Sequence, residues 1–223
     1  MVQPTYSEVL GIIGTTLTMA LLSTAISSVL GTIFGLALER ARFPGKALIV
    51  RINRTLMGVP PVVIGLLVYM VFMRRGPFGF LDLLFTIRAM VIAQVLIITP
   101  IICGMVYSAA DRSAGRIRGF GRTMGASRLQ SQILLIRELG NEIYFAAVTG
   151  FGRAISEVGA VMVVGGNIRY KTRIMTTAIT VLRNTGDYSQ AVLLGGVLLI
   201  IAFLIQASAD FIRRKGARAD ENY

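Results

Sequence analysis

The stretch from Val9 to Leu38 holds 30 residues without one charged side chain. A helix crosses a hydrocarbon core of about 30 Å with roughly 20 apolar residues, so this run reads as a membrane span with length to spare for tilt. Four further runs repeat the signal: Met57 to Met73, Met90 to Tyr107, Ile143 to Val164, and Ala191 to Ala209. Within lipid every backbone polar group must be satisfied inside the segment, which makes helices the spanning form. The expected fold is all-α, a polytopic transmembrane helical bundle of about five spans. Residues 1–215 are expected to form a single transmembrane domain, with 216–223 a short frayed tail. The composition agrees, at 54% hydrophobic and 15% charged residues with a mean hydropathy of +0.70. Met1 to Ser7 lacks the basic residues of a secretory signal, and the run behind it exceeds a cleaved apolar core, so it reads as a retained first span.

The net charge of +12 raises the question of nucleic acid. The basic residues sit in short clusters between apolar runs instead of lining one soluble face, which excludes that partner. Counted by loop, Lys and Arg divide into 15 on one side of the membrane and 7 on the other. The positive-inside tendency then places the N-terminus outside, and the C-terminus and the loop 111–142 in the cytoplasm. Cys103 is the only cysteine and there is no histidine, so neither an intrachain disulfide nor a thiolate metal site is expected.

Several positions inside the spans invite two readings each. Gly31-Thr-Ile-Phe-Gly35 offers a small-residue face for a close helix neighbour, or carries incidental glycines. Pro44 fits a helix start, with Arg51 and Arg54 at the interface. Pro60 and Pro61 break the next helix, either as a packing kink or as a pathway-lining position, since freed backbone groups at membrane depth need protein or a water-filled cavity. Phe78 to Ile87 is too short to cross and reads as interfacial or re-entrant. Pro100 is expected to interrupt the third span, and Gly165-Gly166-Asn167 ends the fourth. Arg153 and Glu157, at i and i+4, share one face of the fourth span as a structural ion pair or as a gate. The polar loop Arg169 to Ser189 carries Arg169-Tyr-Lys171-Thr-Arg173, which is either solvated or an electrostatic dock for an anion or an acidic rim. Tyr6, Thr15, Thr16, Thr18, Ser23, Thr24, Ser27 and Ser28 are expected to make interhelical hydrogen bonds.

The loop 111–142 carries Arg112, Arg116, Arg118, Arg122, Arg128 and Arg137 and is too charged for lipid. It still has helical periodicity, because Leu129, Ile133 and Ile136 form an apolar stripe while Ser131, Gln132 and Arg137 face elsewhere. Gly125 supplies a positive-φ stop for one short helix and Ser127 caps the next.

The run Arg122-Thr123-Met124-Gly125-Ala126-Ser127, about thirty residues before Ile155-Ser156-Glu157-Val158-Gly159-Ala160, resembles the coupling loop and following span of binding-protein-dependent ABC importer permeases. The likeness is nearest to the oxyanion branch of tungstate and molybdate permeases, which Val59-Pro-Pro-Val-Val-Ile-Gly-Leu-Leu also resembles. Two departures from the family pattern stand at Gly119, where an acidic residue is usual, and at Glu138-Leu139, where a Leu-Pro pair is common.

The resemblance implies an inner-membrane, multi-pass permease domain that is not itself an enzyme. It implies a homodimer with a pathway at its two-fold axis, two copies of an ATP-binding subunit, and an extracytoplasmic oxyanion-binding protein. The coupling residues are then Arg122, Thr123, Met124, Gly125, Ala126, Ser127 and Leu129, and the pathway or gate candidates are Pro60, Pro61, Arg153 and Glu157. The cargo it implies is tungstate before molybdate. Sulfate or another anion is the alternative, and an ATP-independent channel or carrier is the rival. No Gly-x-x-x-x-Gly-Lys-Ser/Thr run exists in the chain, so no cofactor is expected in it and ATP and magnesium belong to the partner.

Overall fold

The structure, a computed structural model, describes residues 6–220, with side chains from 7 to 208. The side chains of Tyr6 and of the basic cluster Arg213-Arg214-Lys215 lie outside the described residues, as do residues 1–5 and 221–223 entirely.

The described chain is helical from end to end. In order come α1 (Tyr6–Arg40), α2 (Lys46–Met57), α3 (Pro61–Phe72), a 3₁₀ turn at Gly79–Leu81, α4 (Ile87–Thr123), α5 (Arg128–Glu138), α6 (Gly140–Ser156), α7 (Gly159–Gly165), α8 (Met175–Asn184) and α9 (Tyr188–Asp220). Three helices, α1, α4 and α9, are long and apolar enough to cross a membrane singly. The pairs α2–α3 and α6–α7 are bent by 100° and 60° at their breaks and bring the total to five if each is one span.

The centre of the bundle is the pair α1 and α4. A Cβ on Gly31 would lie 2.7 Å from Ile102 Cβ, and one on Gly35 would lie 2.9 Å from the Cys103 carbonyl and 3.0 Å from Val106. The register advances together, so the two helices run in parallel with backbones close enough that only glycine fits. Of the two readings of Gly31 and Gly35, the close-contact one holds. α6 crosses the same seam, with Gly150 against Ile98 and Ile102 and the Gln94 amide donating to the Ala154 carbonyl at 3.2 Å. Ile98, Ile102, Val106, Ala146, Phe151 and Ile155 fill the core there.

Four expectations are corrected. Pro100 does not interrupt the third span: α4 continues through it for 37 residues, and the Pro100 carbonyl accepts from the Asn53 side-chain amide at 3.1 Å. The first helix of the Gly125 hairpin is therefore the far end of α4, not a short element. The polar loop after α7 contains α8, whose Met175, Thr176, Thr177 and Ala178 are buried. Most hydroxyls of α1 do not bridge helices: Thr15, Thr16 and Ser23 donate to carbonyls one turn back, while Thr24, Ser27, Ser28 and Thr32 find no partner among the described residues. Thr16 does join another helix, because its hydroxyl oxygen accepts the Met175 N–H at 3.0 Å.

Candidate functional site

One end of the bundle is formed by the Gly125 hairpin. Gly125 has φ +69°, and its N–H reaches the Arg122 carbonyl at 3.1 Å while the Ala126 N–H reaches the Gly121 carbonyl at 2.8 Å. These two bonds make a Schellman stop that requires the left-handed residue. Ser127 then caps α5: its hydroxyl oxygen accepts from the Gln130 N–H at 3.2 Å and the Gln130 side chain accepts from the Ser127 N–H at 2.7 Å. Helix stop and helix start thus occupy three consecutive residues, and both match what the sequence indicates.

The apolar stripe of α5 is not the face it turns inward. Ser131 and Leu135 are buried, with Ser131 set against Gly121, where a Cβ would come within 2.6 Å of the Ser131 hydroxyl. The stripe Leu129, Ile133 and Ile136 points away from the chain, Leu129 being 70% exposed, and Met124 beside it is equally so. The absence of a Cβ at Gly121 lets α4 and α5 touch there and sets the rotation of α5.

The hairpin is braced by a group the sequence reading missed. Arg118 on α4 forms a two-pronged ion pair with Glu39 at the end of α1, at 2.9 and 2.5 Å, and lies 3.5 Å from the Gln132 side chain on α5. The Glu39 side chain is 8% exposed. The partners are 79 residues apart, so spacing gave no hint of the pairing.

Deeper in the bundle, the two helix breaks lie side by side. Pro60 and Pro61 open α3, Glu157 and Val158 precede α7, and α3 meets α7 where a Cβ on Gly65 would lie 2.7 Å from Ala160 Cα. Val62 sits against Gly159 at the same place. Arg153 and Glu157 do pair, at 3.4 Å, but not along one helix face, because α6 ends at Ser156 and Glu157 is extended. Glu157 is 5% exposed, and its carboxylate also accepts the Ala160 N–H at 3.1 Å, capping α7. Its carbonyl accepts the Thr176 hydroxyl at 3.0 Å, which ties α8 to the break. Pro60, Pro61, Arg153 and Glu157 are thus one constellation, whereas Arg122 to Leu129 are another at the bundle end.

At the opposite end Arg169 pairs with Glu8 at 2.7 and 2.6 Å, and Arg173 lies 3.6 Å from the same carboxylate. The Glu8 hydrogen bond holds the Arg169 guanidinium above its ordinary pKa. Two of the three cations in Arg169-Tyr-Lys171-Thr-Arg173 are therefore committed inside the chain and are not a free anion dock. No group of three or more potential metal ligands exists among the described residues.

Residues 27–215 match the family described as binding-protein-dependent transport system inner membrane component. The chain belongs to this family. The permease is 46% identical over 185 residues to the tungstate uptake system permease protein TupB of Peptoclostridium acidaminophilum, covering 83% of this chain and 81% of that one. It is 36% identical over 188 residues to a probable anion ABC transporter permease protein of Haloferax volcanii, covering 82% and 81%. Its fold matches a chain from inward-facing conformations of the MetNI methionine ABC transporter with a TM-score of 0.74 at 19% identity, over 96% of this chain and 99% of that one. The all-helical permease fold and a multi-pass place in the inner membrane follow from the family and from the apolar helices.

Proposed function

We propose that this permease is the transmembrane subunit of an ATP-driven oxyanion importer, with tungstate as cargo. It works as a homodimer, with its N-terminus outside, α5 in the cytoplasm, two copies of an ATPase subunit beneath and an extracytoplasmic binding protein above. The chain supplies passage and the ATPase subunit supplies energy. The observation that carries this reading is the exposed stripe Leu129, Ile133 and Ile136 on a hairpin whose stop and cap are both fully hydrogen-bonded. A rigid element that leaves its apolar face uncovered in water is built to be covered by another chain. The family's transport role and the charge asymmetry between loops support the cytoplasmic placement.

In this reading Arg122 to Leu129 receive the ATPase, and the adjoining breaks at Pro60–Pro61 and Glu157–Val158 are the moving part of the passage. Arg153 presents a partly exposed cation beside the break, which attracts an oxyanion without enclosing it.

The test is tungstate uptake into proteoliposomes holding the permease, its ATPase subunit and its binding protein. Uptake should require ATP and should fall at least tenfold in Leu129→Asp with Ile133→Asp, with insertion unchanged. Uptake by the permease alone, or full activity of that variant, would overturn the reading. Molybdate competition in the same vesicles reports how far the two nearly isosteric anions are separated.

A further inference from the structure

Helix α2 has two faces of different chemistry, and neither is buried in the chain. Leu48, Ile49, Ile52 and Leu56 are exposed on one. On the other, Lys46, Arg51 and Arg54 turn with Ala47 and Val50 toward Tyr107 of α4, around a cavity of about 490 Å³ whose lining includes no carboxylate.

We infer that this cavity between α2 and α4 binds a tetrahedral oxyanion group, the phosphate of an anionic lipid headgroup or a free oxyanion of the same shape. Three cations spread over nine residues of helix, a rise of about 12 Å at 1.5 Å per residue, repel one another, and an anion between them relieves that repulsion. The carboxylates nearest the cavity, Asp111 one turn along α4 from Tyr107 and Glu39 at the end of α1, act on the Tyr107 hydroxyl but do not line the cavity. Among the described residues Lys46, Arg51 and Arg54 form no ion pair, and the Glu39 carboxylate is taken by Arg118. Glu142 and Arg112 face the adjoining cavity of about 320 Å³, which shares Val50, Arg54 and Tyr107 with the first.

The lining is preorganised. The Lys46 ammonium donates to the Glu39 carbonyl at 2.9 Å and stands 5.5 Å from the centre of the Tyr107 ring. α2 is held against α4 by the Asn53 amide on the Pro100 carbonyl and by Met57 over Gly104. Guanidinium groups bind phosphate-like oxygens in two-pronged fashion, and an amphipathic helix with one apolar and one basic face is suited to headgroup depth.

The inference uses the membrane setting proposed above but not the cargo, so it is tested by binding rather than uptake. Full-length permease in phosphatidylcholine nanodiscs is assayed for phosphatidylglycerol retention by native mass spectrometry and for inorganic phosphate by equilibrium dialysis. Arg51→Gln with Arg54→Gln should weaken whichever ligand binds by tenfold or more, and Arg51→Lys with Arg54→Lys should retain most of it. Loss in the lipid arm alone assigns a lipid phosphate, and loss in the phosphate arm alone assigns a free ion. Equal binding by wild type and the double glutamine variant in both arms overturns the site, as does an equal loss in Arg74→Gln with Arg88→Gln, which removes the same charge elsewhere.

Discussion

Gly125 separates conformational from steric causes cleanly. It holds φ +69°, yet nothing lies within 4 Å of the place a Cβ would occupy. Any penalty for a side chain there is therefore a backbone penalty. The left-handed region costs an ordinary L-residue about 1–2 kcal/mol, less for Asn, and is a genuine outlier for a β-branched residue. A cost of 1–2 kcal/mol lowers the population of the closed hairpin about 5- to 30-fold, since 1.4 kcal/mol is a factor of ten. Both Schellman bonds, at 3.1 and 2.8 Å, depend on that population.

The expected order of ATPase-subunit affinity and of ATP-driven uptake is Gly125, then Asn, then Ala, then Val, with the Val variant close to inactive and still inserted. Affinity is measured by titrating the ATPase subunit onto permease in nanodiscs, and uptake in proteoliposomes. Wild-type behaviour of Gly125→Val would refute the argument. Equal impairment of Asn, Ala and Val would refute it differently, by showing that bulk at a docked surface matters and the dihedral does not.

Three further outcomes follow from the same contacts. Arg153→Ala strands the buried Glu157 carboxylate and should cost more than Arg153→Ala with Glu157→Ala, by a margin that loss of the Ala160 N–H cap narrows by about 1 kcal/mol, whereas Glu157→Gln, which leaves only the partly exposed Arg153 unpaired, should cost less than Arg153→Ala in thermal midpoint. Arg118→Ala strands the mostly buried Glu39 carboxylate and should cost about 2 kcal/mol, more than Arg118→Ala with Glu39→Ala, as read by denaturation in detergent. Gly14→Ala, with open space around it, should be neutral or stabilising by up to about 1 kcal/mol, whereas Gly35→Ala meets the Cys103 carbonyl at 2.9 Å and should destabilise α1 against α4.

Features written in consecutive residues were legible in the sequence, and features written across the chain were not. The three long spans α1, α4 and α9, the Pro60–Pro61 break, the left-handed Gly125 and the Ser127 cap are each fixed by local sterics or by an apolar run, and each stands where the residues indicate. The apolar stripe of α5 was legible, but its inward residues Ser131 and Leu135 were not, because the small Gly121–Ser131 contact that sets the rotation has no apolar signature. Pro100 was misread because the hydrogen bond a proline removes is tolerated in a membrane helix packed on several sides, as α4 is by α1, α2 and α6. The break at Glu157 joins residues of α6, α7 and α8, so spacing revealed the pair but not the cap or the Thr176 tie. Glu39 with Arg118 and Glu8 with Arg169 lie 79 and 161 residues apart, beyond any periodic signal.

Between the hairpin and the two breaks runs one continuous helix, α4. α5 is held to α4 at Gly121 and Ser131, α4 runs unbroken back to Gln94, and the Gln94 amide grips the Ala154 carbonyl three residues before Glu157. Contacts thus run without a gap from α5 along α4 to the turn where α6 ends, a route by which a displacement of α5 would reach the breaks. Gln94→Leu tests this link, because it removes the grip and also a carboxamide oxygen left without a partner, so its effect on folding should be small. The expected outcome is ATP hydrolysis by the assembled complex close to normal with uptake reduced severalfold. If hydrolysis, uptake and thermal midpoint fall together, the contact merely holds the bundle; if none of them changes, motion reaches the breaks by another route.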